Sequence, residues 1–199
     1  MRLKAMAKIN LGLDVLGKRE DGYHEVRMIM QTIRMYDILD IRKTRRPGIV
    51  LTTNLPFIPT DQRNLVYKAA QMLMEEFDVE EGLSIKLRKF IPVAAGMAGG
   101  SSDAAAAFVG VNRMFHLGLT EEQLMERAVK VGADVPYCIM RGTALAEGIG
   151  EKLTRLPEVP KCYVLIGKPG INVSTKTAYE NLNLEGIGKH PDIDGLIGA

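Results

Sequence analysis

Glycines and serines are concentrated in one segment that could bind a phosphate group. From Phe90 the sequence reads FIPVAAGMAGGSSDAAAAF. Glycine lets backbone N–H groups approach and wrap an anion, and a helix start adds unpaired N–H donors and the positive end of a dipole. The spacing is neither that of a Walker A loop, which needs Lys-Ser or Lys-Thr after the last glycine, nor GxGxxG. A loop whose serine simply caps a helix fits the same residues, so both interpretations stay open.

Three other places carry side chains suited to proton transfer or ligand binding. Asp134 directly precedes a Val-Pro pair, and Lys8 lies mid-strand on the face opposite an apolar stripe. Tyr23 and His24 follow the turn GKREDG. A carboxylate can act as a general base, and a fixed lysine can stabilise developing negative charge. A turn aspartate, a solvated lysine and a surface histidine are equally ordinary explanations, and the residues alone do not decide.

The elements that must position these residues alternate between strands and helices. Apolar and polar residues alternate from Leu3 to Leu13, which predicts a half-buried strand with Leu3, Ala5, Ala7, Ile9, Leu11 and Leu13 on one face. Further strands are predicted at 36–43, 49–53, 83–90, 143–147 and 163–167. Helices are predicted at 64–77, from Ser101 or Ser102 to 115, and from a capping box at Thr120 to Gly132. The proline-rich stretch from Leu156 to Lys161 is the candidate domain boundary.

Composition excludes several classes of protein. The chain has 199 residues, 46% of them hydrophobic, which is enough to bury a core, and a net charge of +2 gives no reason to expect a nucleic-acid or membrane partner. Cys138 and Cys162 lack metal-type spacing and lie in apolar stretches, where free, buried thiols are common. No signal peptide and no apolar run of roughly 18 residues is evident. These features predict a cytoplasmic protein.

At the glycine-rich segment the sequence resembles the GHMP kinase superfamily, named for galactokinase, homoserine, mevalonate and phosphomevalonate kinases. Its ATP loop runs close to Pro-x-x-x-Gly-Leu-Gly/Ala-Ser-Ser, and here the residues are PVAAGMAGGSS from Pro92 to Ser102. Three more blocks narrow the resemblance: AKINLGLDVLGKREDGYHEV from Ala7, GADVPYCI from Gly132 and GTALAEGIGEKL from Gly142. Together they resemble the branch of the superfamily whose acceptor is 4-diphosphocytidyl-2-C-methyl-D-erythritol.

The resemblance implies a two-domain α/β (α+β) fold. Residues 1–156 would form the ATP-binding N-terminal domain, of the ribosomal-protein-S5 domain-2-like kind, and 157–199 the beginning of a ferredoxin-like C-terminal domain. The family has a further C-terminal stretch with another glycine- and serine-rich motif, so a truncated chain is expected. A cleft between the domains would hold the active site.

The implied reaction is the ATP-dependent phosphorylation of the acceptor's 2-hydroxyl, a step in the non-mevalonate route to isoprenoid precursors. ATP and Mg²⁺ are the expected cofactors, with no residue assigned as a metal ligand, and a small molecule is the expected partner. Another GHMP kinase, acting on mevalonate or homoserine, is one alternative. A fragment that binds nucleotide without turnover is another. Oligomeric state stays open.

Site residues follow from the matched motifs. The aspartate of GADVP, Asp134, would be the catalytic base, with Lys8 of AKINL as the active-site lysine beside it. Asn10 would help to place the substrate hydroxyl. No catalytic role falls to Asp103, because an acid is favoured near any helix start.

The remaining assignments concern the two ligands. Tyr23 and Tyr179 would clamp the cytosine, with His24 at the base edge and Thr175 as a polar contact. The nucleotide would be held by Asn64, Leu65 and Lys89, and by the loop residues Pro92, Val93, Ala94, Ala95, Gly96, Met97, Ala98, Gly99, Gly100, Ser101 and Ser102. Ala94 and Ala98 stand where many relatives carry glycine, and Met97 replaces the usual leucine. The three loop glycines predict an intact phosphate cradle all the same.

Overall fold

Two long strands form the central pair of the sheet. The computed structural model describes residues 1–170, 175–184, 186 and 188–198. Strands β1 (Arg2–Lys18) and β2 (His24–Thr44) run antiparallel, in register from Arg2 opposite Asp40 to Lys18 opposite His24. The turn between them is closed by Asp21, whose carboxylate accepts the Tyr23 N–H at 3.0 Å. The turn predicted at GKREDG is confirmed, except that its first two residues, Gly17 and Lys18, still belong to β1.

Four shorter strands complete a six-stranded sheet in the described chain. They are β3 (Ile49–Thr53), β4 (Gly82–Arg88), β5 (Thr143–Gly148) and β6 (Lys152–Arg155). The order is β3-β4-β2-β5-β6, with β1 paired to β2. Strand β3 runs parallel to β4, and the other pairs are antiparallel. The long β2 therefore pairs with β1, with β4 near its end and with β5 near its start.

Six helices are described: α1 (Leu65–Glu76), α2 (Gly99–Phe115), α3 (Glu121–Ala128), α4 (Val135–Met140), α5 (Thr175–Glu180) and α6 (Ile193–Gly198). Asn64 caps α1 by accepting the Val66 N–H at 2.9 Å. Thr120 and Gln123 form the predicted capping box of α3. Helix α2 has no such polar cap, since alanine precedes it.

The core lies where α2 packs on the sheet. Helix α2 contacts α1, α4, β1 and β2, and its alanine run 104–107 and Phe108 are at most 2% exposed. Small side chains let neighbouring elements approach α2 closely, while Phe108, Leu39 and Ile41 fill the space between helix and sheet. Helix α2 is consequently buried along the turns that follow its start in the glycine-rich loop.

The predicted one-sided alternation of β1 is only partly right. Ala5 and Ala7 are buried as expected, but Leu11 and Leu13 are 46% and 39% exposed, while Lys8 is buried. The register of β1 against β2 shifts between Met6 and Lys8, between Asn10 and Gly12, and between Val15 and Gly17. At the first shift the two extra residues lie in β2, whereas each of the other two shifts places one extra residue in β1 and switches the face that the following side chains occupy.

Other element predictions also need correction. The strand predicted at 163–167 is wrong: these residues form no ladder in the described chain, and Tyr163 and Leu165 are fully exposed, so their alternation has no partner strand. Helix α2 begins at Gly99 instead of Ser101 or Ser102, and α3 ends at Ala128 before Gly132. Cys138 is buried as expected, but Cys162 is exposed.

Within the described residues, no helix has both the length and the apolar character that a membrane crossing requires.

Candidate active site

A cleft of about 1160 Å³ gathers nearly all of the residues that the sequence singles out. Its walls come from β1, the turn before β2, the start of α1, the glycine-rich loop, the segment before α4, and α5. The predicted residues that line it are Lys8, Asn10, Tyr23, His24, Asn64, Leu65, Lys89, the loop from Pro92 to Ser101, Asp134 and Tyr179. Residues as far apart in the sequence as Lys8 and Tyr179 therefore share one cavity.

The loop owes its shape to three residues in the left-handed region. Ala94, Gly96 and Ala98 have φ values of +54°, +69° and +52°. Left-handed residues in such a loop turn successive backbone N–H groups toward a common concavity, which is the geometry of an anion-binding nest. Helix α2 begins directly afterwards, so its first N–H groups and the positive end of its dipole face the same region.

Two hydrogen bonds fix this loop to β1. The Lys8 backbone N–H donates to the Met97 carbonyl at 3.2 Å, and the Ser102 hydroxyl donates to the Met6 carbonyl. Ser102 is consequently only 2% exposed, and the cleft is lined by its neighbour Ser101. The two predicted serines thus separate, one toward the cleft and one toward the strand.

Lys8 and Asp134 lie together beside the loop. The Lys8 Nζ is 3.0 Å from Asn10 Oδ1 and 3.9 Å from Asp134 Oδ2. The Lys8 side chain is 6% exposed, whereas Asp134 is 34% exposed and open to the cleft. Its carboxylate stands at the start of α4 without capping that helix in the described structure, and it is therefore available to a ligand.

The Asp134 charge influences its neighbours. Burial first, and then the Asp134 carboxylate, raise the pKa of the Cys138 thiol to about 12. Burial and the same carboxylate also raise the pKa of the Tyr179 hydroxyl. Tyr179 and Asp134 are near enough to interact electrostatically, and both line the cleft. Helix α5 and the start of α4 therefore meet at this site.

An aromatic pair marks the far end of the cleft. The His24 and Tyr179 rings have centroids 5.0 Å apart and planes inclined at 31°. The sequence predicts a clamp between Tyr23 and Tyr179, but the structure brings His24 against Tyr179 and leaves Tyr23 at the cleft wall, 59% exposed. The Thr175 side chain lies outside the described residues.

At the opposite end, the polar groups are already engaged within the protein. The Asn64 amide donates to the Pro59 carbonyl at 2.7 Å while its oxygen caps α1, and Leu65 lines the cleft as an apolar wall. The Lys89 Nζ lies between the buried carboxylates of Asp37 and Asp103. Sequence analysis missed Asp37. A signal for a buried carboxylate was present in the sequence: Asp37 lies on the same strand face as Leu39 and Ile41, where an apolar residue is expected.

The chain matches known proteins along its length. Residues 64–142 match the family model of the GHMP kinases N terminal domain. The 4-diphosphocytidyl-2-C-methyl-D-erythritol kinase of Lachnospira eligens is 57% identical over 199 residues, covering all of this chain and 69% of that protein. The protein of the same name from Caldicellulosiruptor bescii is 54% identical over 199 residues, covering all of this chain and 70% of its own length.

Solved structures agree with the sequence matches. A crystal structure of 4-(cytidine 5'-diphospho)-2C-methyl-D-erythritol kinase superposes with a TM-score of 0.78 at 31% identity, covering all of this chain and 70% of that one. A homoserine kinase from Cytophaga hutchinsonii superposes with a TM-score of 0.64 at 17% identity, over 90% of this chain and 60% of that one. At that identity the second likeness shows a shared fold only.

The left-handed loop residues generate a stability prediction. Ala94→Gly should leave the free energy of unfolding unchanged or raise it by up to about 1 kcal/mol, because relief of left-handed strain offsets the added unfolded-state entropy. The matched change Ala105→Gly, inside α2, should lower it by about 1 kcal/mol or more. Urea denaturation measures both. If Ala94→Gly lowered the free energy of unfolding as much as Ala105→Gly does, left-handed strain at Ala94 would be contradicted.

Thiol reactivity should separate the two cysteines. With a pKa of about 12, the Cys138 thiol holds only about one thiolate in ten thousand at pH 8, whereas Cys162 is exposed. One thiol per native chain should react rapidly with a disulfide reagent, and a second only after denaturation. Cys162→Ser is the control: rapid reaction that persisted in this variant would refute the burial of Cys138.

Proposed function

The chain belongs to the family of 4-diphosphocytidyl-2-C-methyl-D-erythritol kinases, and we propose that its cleft transfers the γ-phosphoryl group of ATP to the 2-hydroxyl of that acceptor. The observation that carries the proposal is the Lys8–Asp134 pair beside a phosphate loop, in a chain 57% identical to a named member over all 199 residues. The product belongs to isoprenoid precursor biosynthesis by the non-mevalonate route.

The loop from Pro92 to Ser101 would bind the triphosphate. Its left-handed residues and the start of α2 present backbone N–H groups, which bind phosphate oxygens without requiring a basic side chain. Such donors are fixed before the nucleotide arrives, so little reorganisation accompanies the reaction. Ser101, on the cleft side of α2, would add a hydroxyl donor.

Asp134 would act as the general base. Its carboxylate is exposed to the cleft and is not used to cap α4 in the described structure, so it can accept the proton of the acceptor hydroxyl as that oxygen attacks the γ-phosphorus. The buried Lys8 ammonium, 3.9 Å away, would orient the carboxylate and offset charge on the transferring group. Asn10, hydrogen-bonded to Lys8, would help to place the hydroxyl.

Magnesium fits the donor chemistry of this site. The Ser101 hydroxyl at the cleft is a hard oxygen donor of the kind that Mg²⁺ takes, and the described residues hold no group of three or more acidic, His or Cys side chains placed to bind a metal ion. Mg²⁺ would thus be held mainly by the nucleotide's own phosphates, as it often is in kinases. When bound, it would neutralise charge on the phosphate oxygens.

The acceptor's cytosine would lie at the aromatic end. The His24–Tyr179 pair supports this placement, because stacking on an aromatic face and hydrogen bonding to a base edge both suit a pyrimidine. Tyr23 at the cleft wall and Thr175 on α5 would complete the contacts. For the nucleotide base we retain Asn64 and Leu65 as the candidate end of the cleft, where Lys89 also lines the wall.

We also propose the division of the chain. Residues 1–156 hold the whole sheet and would be the S5-domain-2-like, ATP-binding unit. Residues 157–199 would begin a ferredoxin-like C-terminal domain, which contributes Tyr179 to the cleft. A cytoplasmic location fits this substrate chemistry and the exposed free thiol of Cys162.

The test is ADP release with ATP, Mg²⁺ and 4-diphosphocytidyl-2-C-methyl-D-erythritol, with mevalonate and homoserine as comparison acceptors. Turnover should require the cytidylyl acceptor. Asp134→Asn should reduce kcat by about 10²- to 10⁴-fold, because the base is lost, while the Kd for ATP changes little. Glu126→Gln, on the exposed face of α3, is the matched control and should keep full activity.

Three results would count against the proposal. Turnover with mevalonate or homoserine would assign the chain to another GHMP activity. Full activity of Asp134→Asn would remove that residue from the mechanism. Binding of ATP without ADP release by the unaltered chain would favour a nucleotide-binding protein that does not turn over.

A further inference from the structure

Three buried charged side chains meet beneath the phosphate loop. The Lys89 Nζ donates to Asp37 Oδ2 and, at 2.6 Å, to Asp103 Oδ2. The side chains of Lys89, Asp37 and Asp103 are 6%, 0% and 3% exposed. They come from the end of β4, the middle of β2 and the first turns of α2. We call these three residues the buried triad.

The buried triad holds the start of the loop. Asp37 Oδ1 accepts the backbone N–H groups of Phe90 and Ile91 at 2.5 and 2.8 Å. From the other side, Asn54 accepts the Lys89 N–H at 2.8 Å and donates to the Lys89 carbonyl at 3.1 Å. Two side chains, Asp37 of β2 and Asn54, therefore fix three successive peptide groups that lead into the loop.

The buried triad also holds the far end of the loop. Asp103 lies on α2, four residues after the helix starts, and its bond to Lys89 ties that helix to the end of β4. A Cβ added at Gly99 would lie 3.2 Å from the Lys89 Nζ and 3.1 Å from Ile91 Cγ2. A side chain at position 99 would therefore require Lys89 or Ile91 to shift by a few tenths of an ångström.

A buried cluster of charged groups contributes little net stability to a fold. Burying charged groups carries a large desolvation cost, and a buried ion pair is often no more stable than apolar residues of the same volume. Asp103 Oδ1 has no hydrogen-bond partner among the described residues, and burial raises the pKa of this carboxyl well above its usual range, against the opposing effect of Lys89. The arrangement is better explained by a requirement for position than by stability.

We propose that Asp37, Lys89 and Asp103 are positioning residues that set the geometry of the phosphate loop and hence the affinity for any triphosphate, without contacting the nucleotide base. This inference rests on the proposed function, since it gives the loop the nucleotide phosphates as its ligand. The Lys89 ammonium already has two carboxylate partners, so the base contact that the family resemblance implies would require it to break an ion pair.

A positioning role and a base contact for Lys89 predict different changes in the Kd values for Mg·ATP, Mg·GTP and Mg·tripolyphosphate. Asp103→Asn keeps the shape of the side chain and weakens its bond to Lys89, and Lys89→Met removes the ammonium. If the buried triad positions the loop, each variant should raise the Kd for Mg·ATP, Mg·GTP and Mg·tripolyphosphate by the same factor, about tenfold or more, because a displaced loop misplaces its donors for every polyphosphate. The KM for the acceptor should change less than twofold. Isothermal titration calorimetry and steady-state kinetics measure these quantities.

A base contact gives the opposite pattern. If Lys89 recognises adenine, Lys89→Met should weaken ATP alone and leave tripolyphosphate binding unchanged, while Asp103→Asn has little effect on either. That result would overturn the proposal. Asp103→Asn keeps the test decisive even if Lys89→Met, with two buried carboxylates left unpaired, does not fold.

A purely structural role is tested with a stability-matched control. Leu73→Ala opens a cavity in the core beneath α1, away from the cleft, and should lower Tm at least as much as Asp103→Asn. It should leave all three Kd values unchanged. Equal weakening of polyphosphate binding in Leu73→Ala and Asp103→Asn would overturn the positioning role.

Failure of this inference is separable from failure of the proposed function. If the unaltered chain binds Mg·ATP but does not phosphorylate the cytidylyl acceptor, the proposed function fails, and the three Kd values still test the buried triad. Suppose instead that the unaltered chain turns over normally and that both variants bind every polyphosphate as tightly as the unaltered chain does. The positioning role of the buried triad is then refuted, and the proposed function stands.

Discussion

The hydrogen bond from the Lys8 backbone N–H to the Met97 carbonyl joins the two halves of the site. One strand residue thereby carries the buried ammonium near Asp134 and also fixes the loop that would hold the phosphates. A second hydrogen bond, from the Ser102 hydroxyl to the Met6 carbonyl, joins the start of α2 to the same strand. Phosphoryl transfer depends mainly on the placement of donor, acceptor and charge. A direct bond between the strand and the loop makes that placement a property of the fold.

The loop is thus held from two directions. Strand β1 fixes its middle and end, while Asp37 and Lys89 fix its start. Between these supports, Ala94 and Ala98 adopt left-handed backbone angles that alanine tolerates only with strain. Such strain persists only where the surroundings determine the conformation, and here buried ion pairs and a strand provide that constraint. The loop from Pro92 to Ser101 itself carries no basic side chain, so its backbone N–H groups would have to supply the donors to an anion.

Sequence reasoning identified elements with local signals and missed those set by tertiary contacts. The capping box at Thr120 is local and is confirmed, and the apolar stripe that predicts a helix over 64–77 is local too. The burial of Lys8 depends on the loop and on Asp134, which are distant in sequence, so it is not visible in an alternating pattern. Lys89 looks like an exposed lysine in sequence, because its carboxylate partners lie 52 and 14 residues away. Family resemblance supplied the proposed role of Asp134, which residue type and position had left open.

The most direct test of this account is a crystal structure with a non-hydrolysable ATP analogue, Mg²⁺ and 4-diphosphocytidyl-2-C-methyl-D-erythritol bound together. The account predicts the triphosphate on the loop from Pro92 to Ser101 and the cytosine at His24 and Tyr179. The acceptor's 2-hydroxyl should lie within about 3.2 Å of the Asp134 carboxylate, in line with the γ-phosphorus. A triphosphate bound elsewhere, or a 2-hydroxyl beyond reach of Asp134 even through one water, would contradict it.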